Sequence, residues 1–104
     1  MTPSRAPRHL SKPARELYAT VVTDYELEAH HLSILTKGLE AFDRAEAARQ
    51  LVETEGLVID SRLGERKPHP AVAIERDSRS AFLAAIKQLG LDLTGPPPPA
   101  KGRR

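Results

Sequence analysis

Several common features are missing from this 104-residue chain. It contains no cysteine and no tryptophan. Without cysteine it can form neither disulfides nor thiolate metal sites, so cysteine usage says nothing about its redox compartment. No apolar run approaches the ~20 residues that a membrane-spanning helix needs, and the basic N-terminal stretch lacks the apolar centre of a signal peptide. We therefore expect one soluble, intracellular domain that makes no membrane contact.

Signatures of catalysis are also missing. No Gly-rich phosphate loop of the Walker type occurs, which argues against nucleotide hydrolysis. The adjacent His30 and His31 would lie about 100° apart on a helix, so they lack the i,i+4 spacing of a helical zinc site. Ser61 and Ser78 have no recognisable activating histidine with an orienting acid. The prediction is a protein that is not an enzyme and holds no metal or other cofactor.

Charge is present but unevenly distributed. The formal net charge is only +2. Residues 1–15 contain four cations and no acid, residues 23–60 contain nine acids against three cations, and residues 61–79 are again mostly basic. Such asymmetry suggests an anionic partner for the basic parts, with nucleic acid the first candidate, although tails that only aid solubility would give the same pattern. The candidate DNA-binding residues are Arg5, Arg8, Lys12 and Arg15 in the first basic stretch and Arg62, Arg66 and Lys67 in the second.

The order of polar and apolar residues divides the chain into three parts. Residues 1–10 are predicted to form a disordered basic arm, residues 11–93 a helical domain, and residues 94–104 a Pro-rich basic tail. Ser11 and Pro13 are typical of a helix start, and the spacing that follows indicates about three turns. A long central helix is then predicted, ending near Gly56. Within it Gly38 marks a kink, a break or a close approach, and we favour one long helix, straight or bent.

The segment "GLVIDSRLGERKPHP", residues 56–70, follows neither helical pattern. Two short extended runs around a Gly-containing turn predict a β-hairpin. A hairpin of two strands is marginal in water, so this one needs support from the long helix or from a neighbouring subunit. His69 and Pro70 then open a last helix, and its predicted buried face includes Ile74. Gly90 ends this helix and Leu91 folds back on it.

The predicted fold is mainly α, with a small helical domain that has a long central helix, a short β-hairpin-like insert and a C-terminal helix. About 80 residues remain once both tails are removed. A single core of that size supplies only ~3–5 kcal/mol. We therefore expect copies of the chain to associate as a homo-oligomer.

Five features in this order resemble the phage terminase small-subunit family over roughly residues 10–93. They are Leu10-Ser11, a helix from Glu26 to Gly56, the β-prone insert Leu57 to Lys67, His69-Pro70, and Leu89-Gly90-Leu91. The resemblance implies a packaging factor that binds double-stranded viral DNA near the packaging start in the host cytoplasm. It further implies assembly as a ring, delivery of DNA to the large terminase subunit, which carries the ATPase and nuclease, and no catalytic residues.

Two other function classes remain open from the residues themselves. A small transcriptional regulator or antitoxin-like protein would bind DNA as a dimer, but its recognition segment would begin with the acidic "ELEAHH", which is unsuited to phosphates. A helical protein-interaction module would have no DNA role. For the insert we hypothesise that Leu57 to Pro68 projects from the helices and either packs against a neighbouring subunit or lines the opening of the ring.

Overall fold

The computed structural model describes residues 5–91, which form three helices and one hairpin. The elements are α1 (Lys12–Asp24), α2 (Ala29–Glu55), β1 (Val58–Asp60), β2 (Arg66–Pro68) and α3 (Pro70–Leu89). This confirms the predicted mainly-α architecture with its long central helix, hairpin insert and C-terminal helix. The predicted tail, residues 94–104, and residues 1–4 of the predicted arm lie outside the described residues.

Local signals set the ends of the helices where the sequence places them. Ser11 caps α1, its hydroxyl accepting a hydrogen bond from the Ala14 N–H at 3.2 Å. Gly56 follows α2 with a positive φ of 92°. Gly90 ends α3 in the left-handed region, and the Leu91 N–H donates to the Ile86 carbonyl at 3.1 Å. Leu91 is 8% exposed, which confirms the predicted folding back of the chain after α3.

Helices α2 and α3 form an antiparallel pair. Gly38 faces Ala85, Arg44 donates a hydrogen bond to Ser78, and Glu55 contacts His69. At Gly38 a Cβ atom would lie 2.7 Å from the Cβ of Ala85. Gly38 is therefore a site of close approach within one continuous helix, the third of the possibilities left open by the sequence.

The buried core lies at one end of this pair. Helix α1 covers the first half of α2 and the last turns of α3, and the largest fully buried side chains are Leu10, Val21, Leu35 and Leu39. The opposite half of the pair has no such cover among residues 5–91. Ile74, which lies in that half, is 46% exposed, so its predicted burial is wrong.

The hairpin stands at the uncovered end, between α2 and α3. Its strands are antiparallel, with Val58 opposite Pro68 and Asp60 opposite Arg66. Both strands are edges of a two-stranded sheet, which is why Pro68 can be accommodated there without an N–H to donate. The hairpin is held at its base, where the His69 N–H donates a hydrogen bond to the Leu57 carbonyl at 2.8 Å.

Candidate nucleic-acid interface

The first basic stretch packs against the helices through its apolar residues. Leu10 is only 2% exposed and belongs to the buried core, with Ala6 packed against that core. A turn precedes it, in which the Leu10 N–H donates to the Pro7 carbonyl at 3.3 Å. Residues 5–10, the described part of the segment predicted as an arm, thus lie against the helices rather than apart from them.

Two acids on α2 hold the start of α1 in place. The Ser11 N–H donates to Asp43 Oδ2 at 2.8 Å, and the Ser11 hydroxyl donates to Asp43 Oδ1. One turn earlier on α2, Glu40 Oε2 lies 2.8 Å from His9 Nε2. The His9–Glu40 and Ser11–Asp43 contacts join residues that are 31 and 32 positions apart in the sequence. They therefore fix the direction in which the basic segment extends from the helices.

Glu40 also forms an ion pair with a further cation, Lys37, close to His9. A hydrogen bond from His9 lowers the pKa of the Glu40 carboxyl below its ordinary value. Burial opposes this shift in part, and the nearby Lys37 ammonium lowers the pKa further. The Lys37 Nζ lies 3.5 Å from Glu40 Oε1, and its side chain is 80% exposed. Sequence reasoning missed Lys37 because it belongs to the acidic middle of the chain, and no local signal connects it to the first basic stretch.

We call the four predicted cations of this stretch the N-terminal cluster. All four are exposed. Arg15 is tied to the backbone as well, because its Nη1 donates to the Leu10 carbonyl at 2.6 Å. The members of the N-terminal cluster are Arg5, Arg8, Lys12 and Arg15.

The second group, which we call the hairpin cluster, consists of Arg62, Arg66 and Lys67, and all three are exposed. Their positions follow from a tight turn in which the Ser61 hydroxyl accepts hydrogen bonds from two backbone N–H groups, at 3.1 and 3.3 Å. Gly64 has a φ of 85° in this turn, a conformation that favours glycine. Arg66 Nε lies 4.0 Å from Asp60 Oδ1; such an exposed pair contributes little to stability.

The two clusters do not form one patch. Ser11 contacts α2 at Asp43, whereas the hairpin follows the end of α2 at Glu55. With a rise of 1.5 Å per residue, these points lie about 18 Å apart along the helix. A DNA duplex that contacts both clusters must therefore span about five base pairs, at 3.4 Å each.

Other kinds of site find little support in residues 5–91. No group of three or more His, Asp or Glu side chains there could hold a metal ion. The Nδ1 of His31 accepts a hydrogen bond from the Glu28 N–H at 3.1 Å, so this ring helps to begin α2. Within the same residues, no helix combines the length and the apolar character that crossing a bilayer requires.

Comparison with known proteins gives the family. No curated protein and no solved structure matches the chain significantly. A family model described as "Phage terminase, small subunit" matches residues 14–95, which is most of the chain and includes all three helices and the hairpin except the first two residues of α1. The chain therefore belongs to the phage terminase small-subunit family.

Proposed function

We propose that this terminase small subunit recognises double-stranded viral DNA, self-associates, and delivers the DNA to the large terminase subunit. Membership of the family gives the coarser role, a non-catalytic part in phage DNA packaging inside the host cell. The finer role assigns DNA contact to the N-terminal cluster and the hairpin cluster. The protein itself performs no chemistry in this proposal, because the large subunit supplies ATP hydrolysis and DNA cleavage.

The attachment of the N-terminal cluster to the body is the observation that carries the proposal. Leu10 is buried and Ser11 is bonded to Asp43, so at least the cations from Lys12 onward start from ordered backbone. A phosphate contact made by an ordered side chain loses less conformational entropy than one made by a free tail. The exposed Lys37, which shares Glu40 with His9, is a further candidate for phosphate contact.

Exposed apolar side chains at the hairpin end support self-association. They include Leu57 at 66%, Leu63 at 87% and Ile74 at 46% exposure, around a hairpin that is marginal by itself. Covering such a surface with a second copy removes it from water, and each fully buried leucine is worth about 1.5–3 kcal/mol. Head-to-tail contacts between identical subunits close into a ring when the rotation allows it.

Salt-dependent DNA binding tests the proposal. All four members of the N-terminal cluster are changed together to glutamine, which keeps the side chains polar and removes the charge. The slope of log K against log salt should then flatten by about 3–4, because each lost phosphate contact removes about 0.9. A circular dichroism melt of each variant checks that the fold is intact.

A charge-matched control distinguishes contact from a general loss of positive charge. It carries glutamine at four other exposed cations, namely Arg49, Arg76, Arg79 and Lys87. The control should weaken binding only slightly and keep the slope. An equal slope for all three proteins would refute DNA contact by the N-terminal cluster. Native mass spectrometry completes the test, since a dimer would favour the regulator alternative and many copies the terminase assembly.

A further inference from the structure

The two outer edges of the hairpin carry different backbone hydrogen-bonding groups. At the base of the hairpin the His69 N–H donates to the Leu57 carbonyl, and near its tip the Ser61 N–H donates to the Glu65 carbonyl at 2.6 Å. Hydrogen-bonded pairs alternate with non-hydrogen-bonded ones in an antiparallel ladder, so the backbone groups of Ile59, midway between these pairs, also point inward. The residues in between direct their backbone groups outward, and they are Val58 and Asp60 on β1 and Arg66 and Pro68 on β2.

These outward groups are available to another strand. Among residues 5–91, no backbone group outside the hairpin is hydrogen-bonded to them. On the β1 edge both Val58 and Asp60 offer an N–H and a carbonyl, whereas on the β2 edge Pro68 offers only its carbonyl. An edge with unpaired groups is a template for a further strand, and a hairpin of two short strands is marginal without one.

Charge selects how the β1 edge of one copy fits the β2 edge of another. In one antiparallel register Asp60 lies opposite Arg66 of the other copy, and Val58 lies opposite Pro68. Asp60 and Arg66 then exchange two hydrogen bonds, and the Val58 N–H donates a further one to the Pro68 carbonyl. The neighbouring registers set Arg66 opposite the uncharged Val58 or opposite Arg62, which repels it. Within one chain Arg66 Nε already lies 4.0 Å from Asp60 Oδ1, so the first register extends the same alternation of charge from copy to copy.

Pairing between like edges fits less well. Two β1 edges would set Val58 opposite Asp60, which leaves the two Asp60 side chains on one face as diagonal neighbours about 7–8 Å apart. Two β2 edges would place two Arg66 side chains in the same diagonal relation, and neither Pro68 could donate a hydrogen bond. Either arrangement also stops at a dimer with two edges still open, whereas a β1-to-β2 contact uses every edge once it closes on itself.

An apolar contact accompanies the β1-to-β2 register. On one face of the hairpin, Ile59, Lys67 and Pro70 line a shallow cavity of about 660 Å³. Leu57 directly precedes β1, and in this register the leucine of the second copy lies opposite His69, on the face that borders the cavity. Since Leu57 is 66% exposed in the single chain, the contact removes a large apolar side chain from water.

We propose that β1 of one copy pairs antiparallel with β2 of the next copy, with Asp60 opposite Arg66, so that neighbouring hairpins form one continuous sheet. The contact is head-to-tail and can propagate around a ring. Arg66 then lies between two carboxylates, one from its own chain and one from the next copy, and Arg62 and Lys67 are the members of the hairpin cluster that remain for DNA. This inference rests on the proposed self-association and adds the surfaces that make it.

Cysteine crosslinking tests the register, because the chain has no cysteine of its own. Two full-length variants, Ile59→Cys and Lys67→Cys, are oxidised mildly, each alone and as an exchanged mixture. In the β1-to-β2 register these residues are opposed in a non-hydrogen-bonded pair with Cα atoms about 4.5 Å apart, which a disulfide can bridge. The mixture should therefore form a covalent dimer, and each variant alone roughly tenfold less. A control mixture of Ile59→Cys with Tyr25→Cys, an exposed position after α1, should also form little dimer.

The alternatives give different products. A dimer from Ile59→Cys alone would mean that two β1 edges pair, and a dimer from Lys67→Cys alone would mean that two β2 edges pair. Either result would overturn the β1-to-β2 contact. No dimer from variants that native mass spectrometry shows to be oligomeric would overturn strand pairing and leave self-association standing. A parent protein that is monomeric would overturn both.

A proline variant tests the contact without any crosslink. Val58→Pro removes an outward N–H, while the hydrogen bonds between β1 and β2 of one chain keep their donors. Val58→Thr keeps the N–H and the β-branched shape, and it serves as the matched control. Val58→Pro should raise the dissociation constant of self-association about tenfold, with the helical content unchanged by circular dichroism. Equal association of the parent and both variants would overturn the contact.

Discussion

Replacing Gly38 by alanine should force apart the two helices that form the body. The new Cβ would lie 2.7 Å from the Cβ of Ala85, whereas carbon atoms in contact are comfortable at about 3.5–4.0 Å. Neither atom can turn away, because each is bonded directly to the backbone, so the helices must separate by roughly 1 Å. Such overpacking costs about 1–3 kcal/mol, against the ~1 kcal/mol that alanine gains over glycine in a helix. We expect a net loss of up to about 2 kcal/mol in urea unfolding followed by circular dichroism.

A compensating change makes this prediction sharp. The double variant Gly38→Ala/Ala85→Gly restores one methyl group at the contact and should return to within about 0.5 kcal/mol of the parent. Ala85→Gly alone should lose ~1 kcal/mol through helix propensity, and the exposed Ala84→Gly serves as its control. The contact would be refuted if Gly38→Ala alone raised stability and the two changes were simply additive.

Substitutions at two further residues test the polar contacts that join the elements. His69→Ala removes both the acceptor for the Ala71 N–H and the 2.6 Å contact with Glu55, and should lower the free energy of unfolding by about 1–2 kcal/mol. His69→Asn keeps the helix cap and should recover about half of that loss in the same urea assay. Folding lowers the pKa of Glu40, so its ionised carboxylate stabilises the folded state at neutral pH. This stabilisation is lost as the pH falls below 4.5, the ordinary pKa of the carboxyl. Glu40→Gln should therefore melt earlier at pH 7 and lose less stability on acidification; parallel melting curves from pH 7 to 3 would contradict this.

The helix boundaries could be predicted because they depend on nearby residues. Ser11 caps the helix that follows it directly, and Gly90 ends α3 through contacts within five residues. The hairpin was equally predictable, since a turn with Gly64 between two extended runs is a local pattern. The family could be recognised for the same reason, because the order of these local features is itself written along the chain.

The candidate site could be predicted only in part. Its cations are visible as residue types in the sequence, but their assignment to DNA stays a prediction. Sequence reasoning placed residues 5–10 in a free arm, because Leu10 is a single apolar residue among prolines and cations and gives no periodic signal. Its burial depends on side chains from all three helices, which surround it in the core. Ile74 shows the opposite failure, since its spacing fits a buried face that nothing covers among residues 5–91.

The sequence alone determined the helices, their ends, the hairpin and the two basic stretches, because capping, turn geometry and charge all act over a few residues. The packing of the helices decided that Gly38 serves a close contact, that Asp43 and Glu40 hold the start of α1, and that Lys37 shares Glu40 with His9. It also brought the rings of Phe42 and Phe82 into contact and left Leu63 exposed. Most of these contacts join residues more than thirty positions apart, and the packing of whole helices, rather than any local preference, brings such residues together.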